Sequence, residues 1–145
     1  MNYNSLKEYY IRSIKENVLE YEEDIKKMAK EIKTIDYDSN NDIFFISTGE
    51  KVKSSLDIGN FVLDVNHNNF ICGIEVMDAS ENLGVSKEIL KNINNMKMSV
   101  NYQTNHVYVL LMIVFKKNEK EVNIQIPFTL NLGHKIPTKE VLVYN

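Results

Sequence analysis

The sequence "VYVLLMIVF", residues 107–115, is the longest apolar run of the chain and decides the predicted fold. It has about half of the ~20 residues that a membrane-spanning helix needs, so it predicts a strand in a protein core. Because every position is apolar, we expect both faces of this strand to be covered, by an N-terminal helix or by a second sheet.

The segments on either side of this run alternate apolar and polar residues, as half-buried strands do. They are "MKMSVNYQT" (96–104) and "VNIQIPFTL" (122–130). Together with the run they predict a three-stranded antiparallel meander over residues 96–131, followed by a tail at 132–145. Pro127 falls on the polar side of its strand and has no backbone N–H, so one edge of that strand should be unpaired.

Residues 35–82 predict a set of antiparallel β-hairpins, because short runs rich in Ile, Val and Phe are separated by Asn, Asp and Gly. "STGE" and "NHNN" have the composition of hairpin turns. The expected strands lie near 43–48, 52–58, 61–65 and 70–77. In the last hairpin the expected register pairs Val65 with Phe70 and Leu63 with Cys72, which separates Asp64 from Glu75 by roughly 13 Å.

A long helix is predicted over residues 5–33, where apolar residues recur at steps of three and four without glycine or proline. Its length would be roughly 43 Å, so part of it should extend beyond its own core. A short middle helix is predicted over 83–95, with Ser86 as its N-cap. The predicted fold is therefore a single α+β domain over residues 1–145.

Composition restricts the function classes. The net charge is −3, and Arg12 is the single arginine among 17 basic residues, which disfavours sequence-specific binding of nucleic acid. Cys72 is the single cysteine and is expected in the core, and the start "MNYNSLKEYY" has no apolar stretch typical of a signal peptide. We therefore expect a cytoplasmic protein without membrane contact.

The sequence has no motif of a known catalytic or cofactor site: no Gly-x-Ser-x-Gly, no glycine-rich phosphate loop and no dinucleotide fingerprint. The histidines are not spaced as paired metal ligands on a helix. We predict no cofactor and no metal. Asp38, Asp42, Asp64 and His67 are the residues that we would examine for a ligand or metal.

The stretches "DYDSNNDIFFIS", "LDIGNFVLDVN" and "GIEVMDAS" resemble a small prokaryotic family, Domain of Unknown Function 2283, over about residues 35–82. The matching positions are Tyr37, Asp38, Asp42, Asp64, Gly73, Ile74, Glu75, Asp78, Ala79 and Ser80. The resemblance implies a compact β-rich unit and no catalytic residues. Some members are associated with toxin–antitoxin-like gene pairs, so it also implies an antitoxin-like binding role.

The leading hypothesis is a non-enzymatic module for protein interaction or self-association, present as a homodimer or bound to a partner protein. The self-association residues predicted on the long helix are Val18, Tyr21, Ile25, Met28 and Ile32. One alternative is a small enzyme or ligand binder that uses Asp38, Asp42, Asp64 and Glu75. A structural component of a plasmid or virus is the other alternative.

Overall fold

A computed structural model describes residues 29–132, which form nine strands and two helices of five residues each. The strands are β1 (Lys30–Glu31), β2 (Thr34–Asp38), β3 (Ile43–Ser47), β4 (Val52–Ile58), β5 (Phe61–Asn66), β6 (Ile71–Val76), β7 (Ile93–Tyr102), β8 (His106–Lys117) and β9 (Lys120–Asn131). The helices are α1 (Ala79–Leu83) and α2 (Lys87–Lys91). With 62% of these residues in strands, the α+β prediction is wrong and the described chain is mostly β.

The long-helix prediction is wrong where it meets the described residues, because Lys30–Glu31 pair with β7. Ile32 and Lys33 then carry the chain from one sheet to the other: Ile32 N–H donates to Met96 O, and Lys33 N–H donates to Ser47 O. Ile32 is 8% exposed, and this burial with strand pairing overrides the helical periodicity. The rest of the predicted helix, with Val18, Tyr21, Ile25 and Met28, lies outside the described residues.

The four-stranded sheet has the order β1-β7-β8-β9, and its last three strands are the predicted antiparallel meander. Alternate β8 residues from Val107 to Phe115 are buried, while the residues between them are partly exposed. Only the inner face of β8 is fully buried, whereas we expected cover on both faces. Pro127 lies on the edge strand β9, as predicted.

The five-stranded sheet has the order β2-β3-β6-β5-β4. The β5–β6 hairpin is confirmed, but β3 pairs with β2 and β6 and not with β4. "STGE" is therefore a crossing connection and not a hairpin turn, which gives β3 to β6 a Greek-key order. Fully buried Phe44, Ile46 and Ile74 favour central positions for β3 and β6, whereas Lys53 and two serines make β4 suitable for an edge.

The register of the β5–β6 hairpin differs from the prediction. Leu63 pairs with Ile74 and Val65 with Ile71, with a bulge between these pairs that leaves Cys72 as the extra residue. The turn shifts the register by one residue, because it has a three-residue loop instead of four, with Asn69 at a left-handed φ of 66°, and the bulge adds the second residue. Asp64 now pairs with Gly73 and Val62 with Glu75.

Both sheets contribute to one hydrophobic core, which also includes Ala79, Leu83 and Leu90 from the helices. The Ser86 hydroxyl accepts the Ile89 N–H at 3.3 Å, so the predicted N-cap is confirmed. The predicted bounds of 83–95 are wrong, because the helix covers only Lys87–Lys91, Leu83 belongs to α1 and β7 begins at Ile93. Among residues 29–132, neither helix has the length and hydropathy needed to cross a membrane.

Candidate functional site

A carboxylate clamp joins the β2–β3 turn to α1, and we define it as Tyr37, Asp42 and Ser80. Tyr37 Oη donates to Asp42 Oδ1 at 2.6 Å, and Ser80 Oγ donates to Asp42 Oδ2 at 2.7 Å. The Ser80 N–H lies 3.1 Å and 3.2 Å from the two carboxylate oxygens. The Ala79 N–H also donates to the Asp42 carbonyl at 2.9 Å. The clamp thus attaches the first turn of α1 to the hairpin.

The protonation states of the clamp are fixed at neutral pH. Desolvation alone would raise the pKa of Asp42, but the hydrogen bonds from Tyr37 and Ser80 outweigh it and hold this pKa below the ordinary 3.8. Desolvation and the bond to Asp42 raise the pKa of Tyr37 to about 12. A general acid or base works best with a pKa near the operating pH. The clamp is suited to holding two elements together and not to proton transfer.

Asp38 stabilises the tip of the same hairpin. Its Oδ1 accepts the backbone N–H groups of Asn40 and Asn41 at 3.0 Å and 3.1 Å, and its Oδ2 accepts Asn41 Nδ2 at 2.8 Å. This is the Asx-turn geometry expected of Asp at a turn. The bonds from Asn41, followed by the backbone of Asn40, lower the pKa of Asp38.

Asp64 and Gly73 form a close contact on the outer face of the five-stranded sheet. Ser55 Oγ donates to Asp64 Oδ1 at 2.7 Å. A Cβ atom at position 73 would lie 2.8 Å from Asp64 Oδ2 and 3.2 Å from the Ile46 carbonyl oxygen. Gly73 therefore provides the space that the Asp64 side chain occupies.

Glu75 differs from the other three acids of the predicted set. It lies on the outer face of β6, paired with Phe45 of β3 and Val62 of β5, and is partly exposed. Within residues 29–132 it has no hydrogen bond or ion pair, whereas Asp38, Asp42 and Asp64 are each hydrogen-bonded. Glu75 and Asp64 are diagonal neighbours, with Cα atoms about 7–8 Å apart, closer than the register expected from sequence implied.

The structure does not bring Asp38, Asp42, Asp64 and His67 together. Asp42 contacts Ser80 beyond the end of β6, whereas His67 lies in the turn before β6 begins. In the described part of the chain, no group of three or more His, Cys, Asp or Glu side chains is placed to hold a metal ion. Ile32, the described member of the predicted self-association residues, is part of the chain's own core.

Sequence reasoning missed a second polar cluster, which we call the Glu50 cluster. Lys30 Nζ and Thr48 Oγ1 donate to Glu50 Oε1 at 3.1 Å and 2.8 Å, and Asn66 Nδ2 donates to Oε2 at 2.8 Å. Desolvation opposes ionisation of Glu50, but these bonds outweigh it and lower its pKa. The cluster attaches β1 and the β3–β4 connection to β5. Its sequence signal, the glutamate of "STGE", was interpreted as part of a hairpin turn.

Cys72 is 1% exposed, as expected for a core cysteine. Burial, followed by the negative charges of Asp64 and Glu50, raises the pKa of its thiol. The thiol is therefore protonated at neutral pH, which is the unreactive form.

The outer face of the four-stranded sheet has a central apolar row, which we call the β8 face: Leu110, Met112 and Val114, all partly exposed. The paired residues on either side are Asn95, Lys97 and Ser99 of β7 and Asn123, Gln125 and Pro127 of β9. An apolar strip with a mostly polar, nearly uncharged border is typical of an interaction surface.

Comparison with known proteins gives relatives but no solved structure that matches. A protein of Methanosarcina mazei described as a putative hypoxanthine phosphoribosyltransferase is 32% identical over 89 residues, which are 61% of this chain and 72% of that protein. An uncharacterized protein of Methanocaldococcus jannaschii is 38% identical over 61 residues, which are 41% of this chain. The chain spans about half of this second relative, 53% of its length.

A family described as "Protein of unknown function (DUF2283)" matches residues 34–80. The matched segment begins with β2 and ends at Ser80, so it contains the five-stranded sheet and all three clamp residues. The resemblance noted from "DYDSNNDIFFIS" and "GIEVMDAS" is confirmed, and residues 34–80 of this chain match the DUF2283 family.

Proposed function

We propose that this protein is a non-enzymatic interaction module that self-associates through the β8 face. The observation that carries the proposal is the partly exposed row Leu110, Met112 and Val114 at the centre of a sheet whose other face is the core. Burial of a valine, leucine or methionine side chain contributes about 1.5–3 kcal/mol relative to full exposure. A contact that completes the burial of this row on two copies gains the part of this energy that corresponds to the remaining exposed surface.

The charge distribution favours a second copy of the chain as the occupant. Lys97 is the one charged residue that pairs beside the row, so a two-fold contact brings few like charges together. The opposite face repels its own copy, because residues 34–80 have eight acidic residues and two lysines, a net charge of −6. Self-association should use the four-stranded sheet and leave the acidic sheet in solvent.

The test is the native mass of the full chain, measured by non-denaturing mass spectrometry and by sedimentation. We expect a dimer, and we expect Met112→Glu to weaken it at least tenfold by placing charge in the apolar row. Val52→Glu is the matched control, because Val52 is 44% exposed on the edge strand β4, and it should leave the dimer intact. A monomeric wild type, or a Met112→Glu variant that associates normally, would refute the proposal.

An antitoxin-like role and a cytoplasmic location are narrower forms of this proposal. The first is supported by the family resemblance, and the second by a single, buried cysteine that forms no disulfide within the described residues. Capture of one defined protein encoded beside the gene, in a complex of fixed stoichiometry, would support the antitoxin-like role.

The name of the M. mazei relative suggests a transferase, but the described residues favour that function less. Phosphate groups are usually held by glycine-rich loops, helix N-termini or arginines. Residues 29–132 contain no arginine, and their helices have five residues each. Three of the four acids that would serve an enzyme are hydrogen-bonded to donors that hold turns, strands or α1 in place.

A further inference from the structure

The outer face of the five-stranded sheet has a row of side chains that alternates acidic and apolar. Paired positions across the strands place Asp36, Phe45, Glu75, Val62 and Asp57 side by side, and we call them the Glu75 row. Neighbouring strands are about 4.8 Å apart, so Phe45 and Val62 flank Glu75 on either side. The row lies on the sheet opposite to the β8 face.

Glu75 is an acid of the family segment for which residues 29–132 provide no hydrogen-bond or ion-pair partner. Asp38 supports a turn, Asp42 holds α1, and Asp64 bonds Ser55. Glu75 makes no hydrogen bond or ion pair within residues 29–132, although it is partly buried between two apolar side chains. A carboxylate in such surroundings gains more from a cationic partner than one in open water, because the local dielectric constant is lower.

We propose that the Glu75 row is a docking site for an arginine of a basic partner protein. The planar guanidinium can pair with the Glu75 carboxylate through two N–H groups while it stacks on the Phe45 ring. Its aliphatic stem packs on Val62. Arginine fits better than lysine, because an ammonium group offers neither the planar stack nor the paired hydrogen bonds.

The charge of the whole sheet supports a basic partner. Residues 34–80 have a net charge of −6, and their two lysines, Lys51 and Lys53, lie near the start of β4 and not in the row. This field attracts basic segments over distances of about 10 Å at physiological salt. The proposed partner is therefore a protein segment with an exposed arginine flanked by further positive charge.

The test is a titration of the ¹⁵N-labelled full chain with an acetylated hexa-arginine peptide at about 50 mM salt, followed by NMR. We expect amide shifts centred on Phe45, Val62 and Glu75, and tighter binding than hexalysine. Glu75→Gln should weaken binding at least fivefold. Glu121→Gln removes the same charge from an exposed position on β9 of the other sheet, and should change affinity by less than twofold.

A second variant distinguishes arginine docking at the Glu75 row from non-specific electrostatic attraction between the basic peptide and the acidic sheet. Phe45→Leu keeps an apolar side chain but removes the ring, so it should reduce the preference for arginine over lysine. Amide dispersion of each variant verifies that it is folded. Shifts spread over the whole surface, equal effects of Glu75→Gln and Glu121→Gln, or no binding at low salt would each overturn the proposal. The dimer mass can be measured in the same samples, so failure of this site is distinguishable from failure of self-association.

Discussion

Asp42 accepts both the backbone N–H and the hydroxyl of Ser80, which lies 38 positions later in the chain. This contact joins the two ends of the family segment, since the match begins at residue 34 and ends at residue 80. The polar residues by which the family is recognised therefore include a contact that attaches α1 to the β2–β3 turn. Motif residues of this kind identify a fold more directly than a reaction.

The first prediction concerns this contact. The Asp42 carboxylate accepts hydrogen bonds from the Tyr37 hydroxyl, the Ser80 N–H and the Ser80 hydroxyl. Asp42→Asn removes the negative charge and replaces one of the two acceptor oxygens with an N–H₂ group, which cannot accept a hydrogen bond. We expect the free energy of unfolding to fall by about 1–2 kcal/mol, after allowing for partial solvent screening. Urea denaturation measures it. Asp36→Asn is the control, an exposed position on β2 that should change stability by less than about 0.5 kcal/mol.

The second prediction is acid sensitivity. Asp42 and Glu50 have folded pKa values below their ordinary 3.8 and 4.5, so the unfolded chain takes up protons first as the pH falls. Their contribution is complete above about pH 5 and is lost as the pH drops through the folded pKa values. Urea midpoints between pH 6 and pH 3 should fall steeply for the wild type and less steeply for an Asp42→Asn, Glu50→Gln double variant. Equal slopes would contradict this.

The third prediction concerns Gly73. A Cβ atom at this position meets the Asp64 carboxylate and the backbone oxygen of Ile46, so Gly73→Ala should destabilise the chain by about 1–3 kcal/mol. Asp64→Ala should relieve part of this cost, because it removes the nearer of the two obstacles. A double-mutant cycle measures the coupling between the two positions. Additive effects would show that the two side chains do not compete for this space.

The fourth prediction concerns Cys72, which is buried and has a raised thiol pKa. Its reaction with a thiol reagent in the native protein should be at least a hundredfold slower than in urea, and should accelerate as unfolding begins. Rapid modification at neutral pH without denaturant would mean that the β6 bulge opens freely.

The fifth prediction tests the transferase suggested by the name of the M. mazei relative. Hypoxanthine and inorganic pyrophosphate, each at millimolar concentration, should change the thermal midpoint by less than about 1 °C. A ligand at a hundredfold excess over its dissociation constant contributes about 2.7 kcal/mol, which would raise the midpoint by several degrees in a chain of this size. Such a rise would favour the enzyme hypothesis over the non-enzymatic interaction module.

Local patterns predicted the parts of the fold that depend on neighbouring residues. The run around Leu111 gave the central strand of the meander, and Ser86 was recognised as an N-cap from its flanking residues. The partner of β3 was not predictable in this way, because the pairing of Ile46 with Ile74 depends on which strands can be buried together. The one-residue bulge at Cys72 was hidden for a different reason, since the alternation of buried and exposed residues does not show where a strand carries an extra residue.

In the candidate sites, too, features that depend on neighbouring residues were predictable and those that depend on distant residues were not. Asp38 was expected at a turn, and it is there. The bonds from Ser80 to Asp42, and from Lys30 and Asn66 to Glu50, join residues far apart in sequence, so no local pattern revealed them. The special position of Glu75 becomes visible only when its neighbours across two strands and the partners of the other acids are known.

The crossing from β3 to β4 has a consequence for the order of folding. The pairing of Ile46 with Ile74 closes a long loop, which contains β4 and β5. The meander of β7 to β9 needs only short loops, and chain entropy favours its early formation. When the full chain refolds from denaturant, the meander should therefore form before β3 pairs with β6.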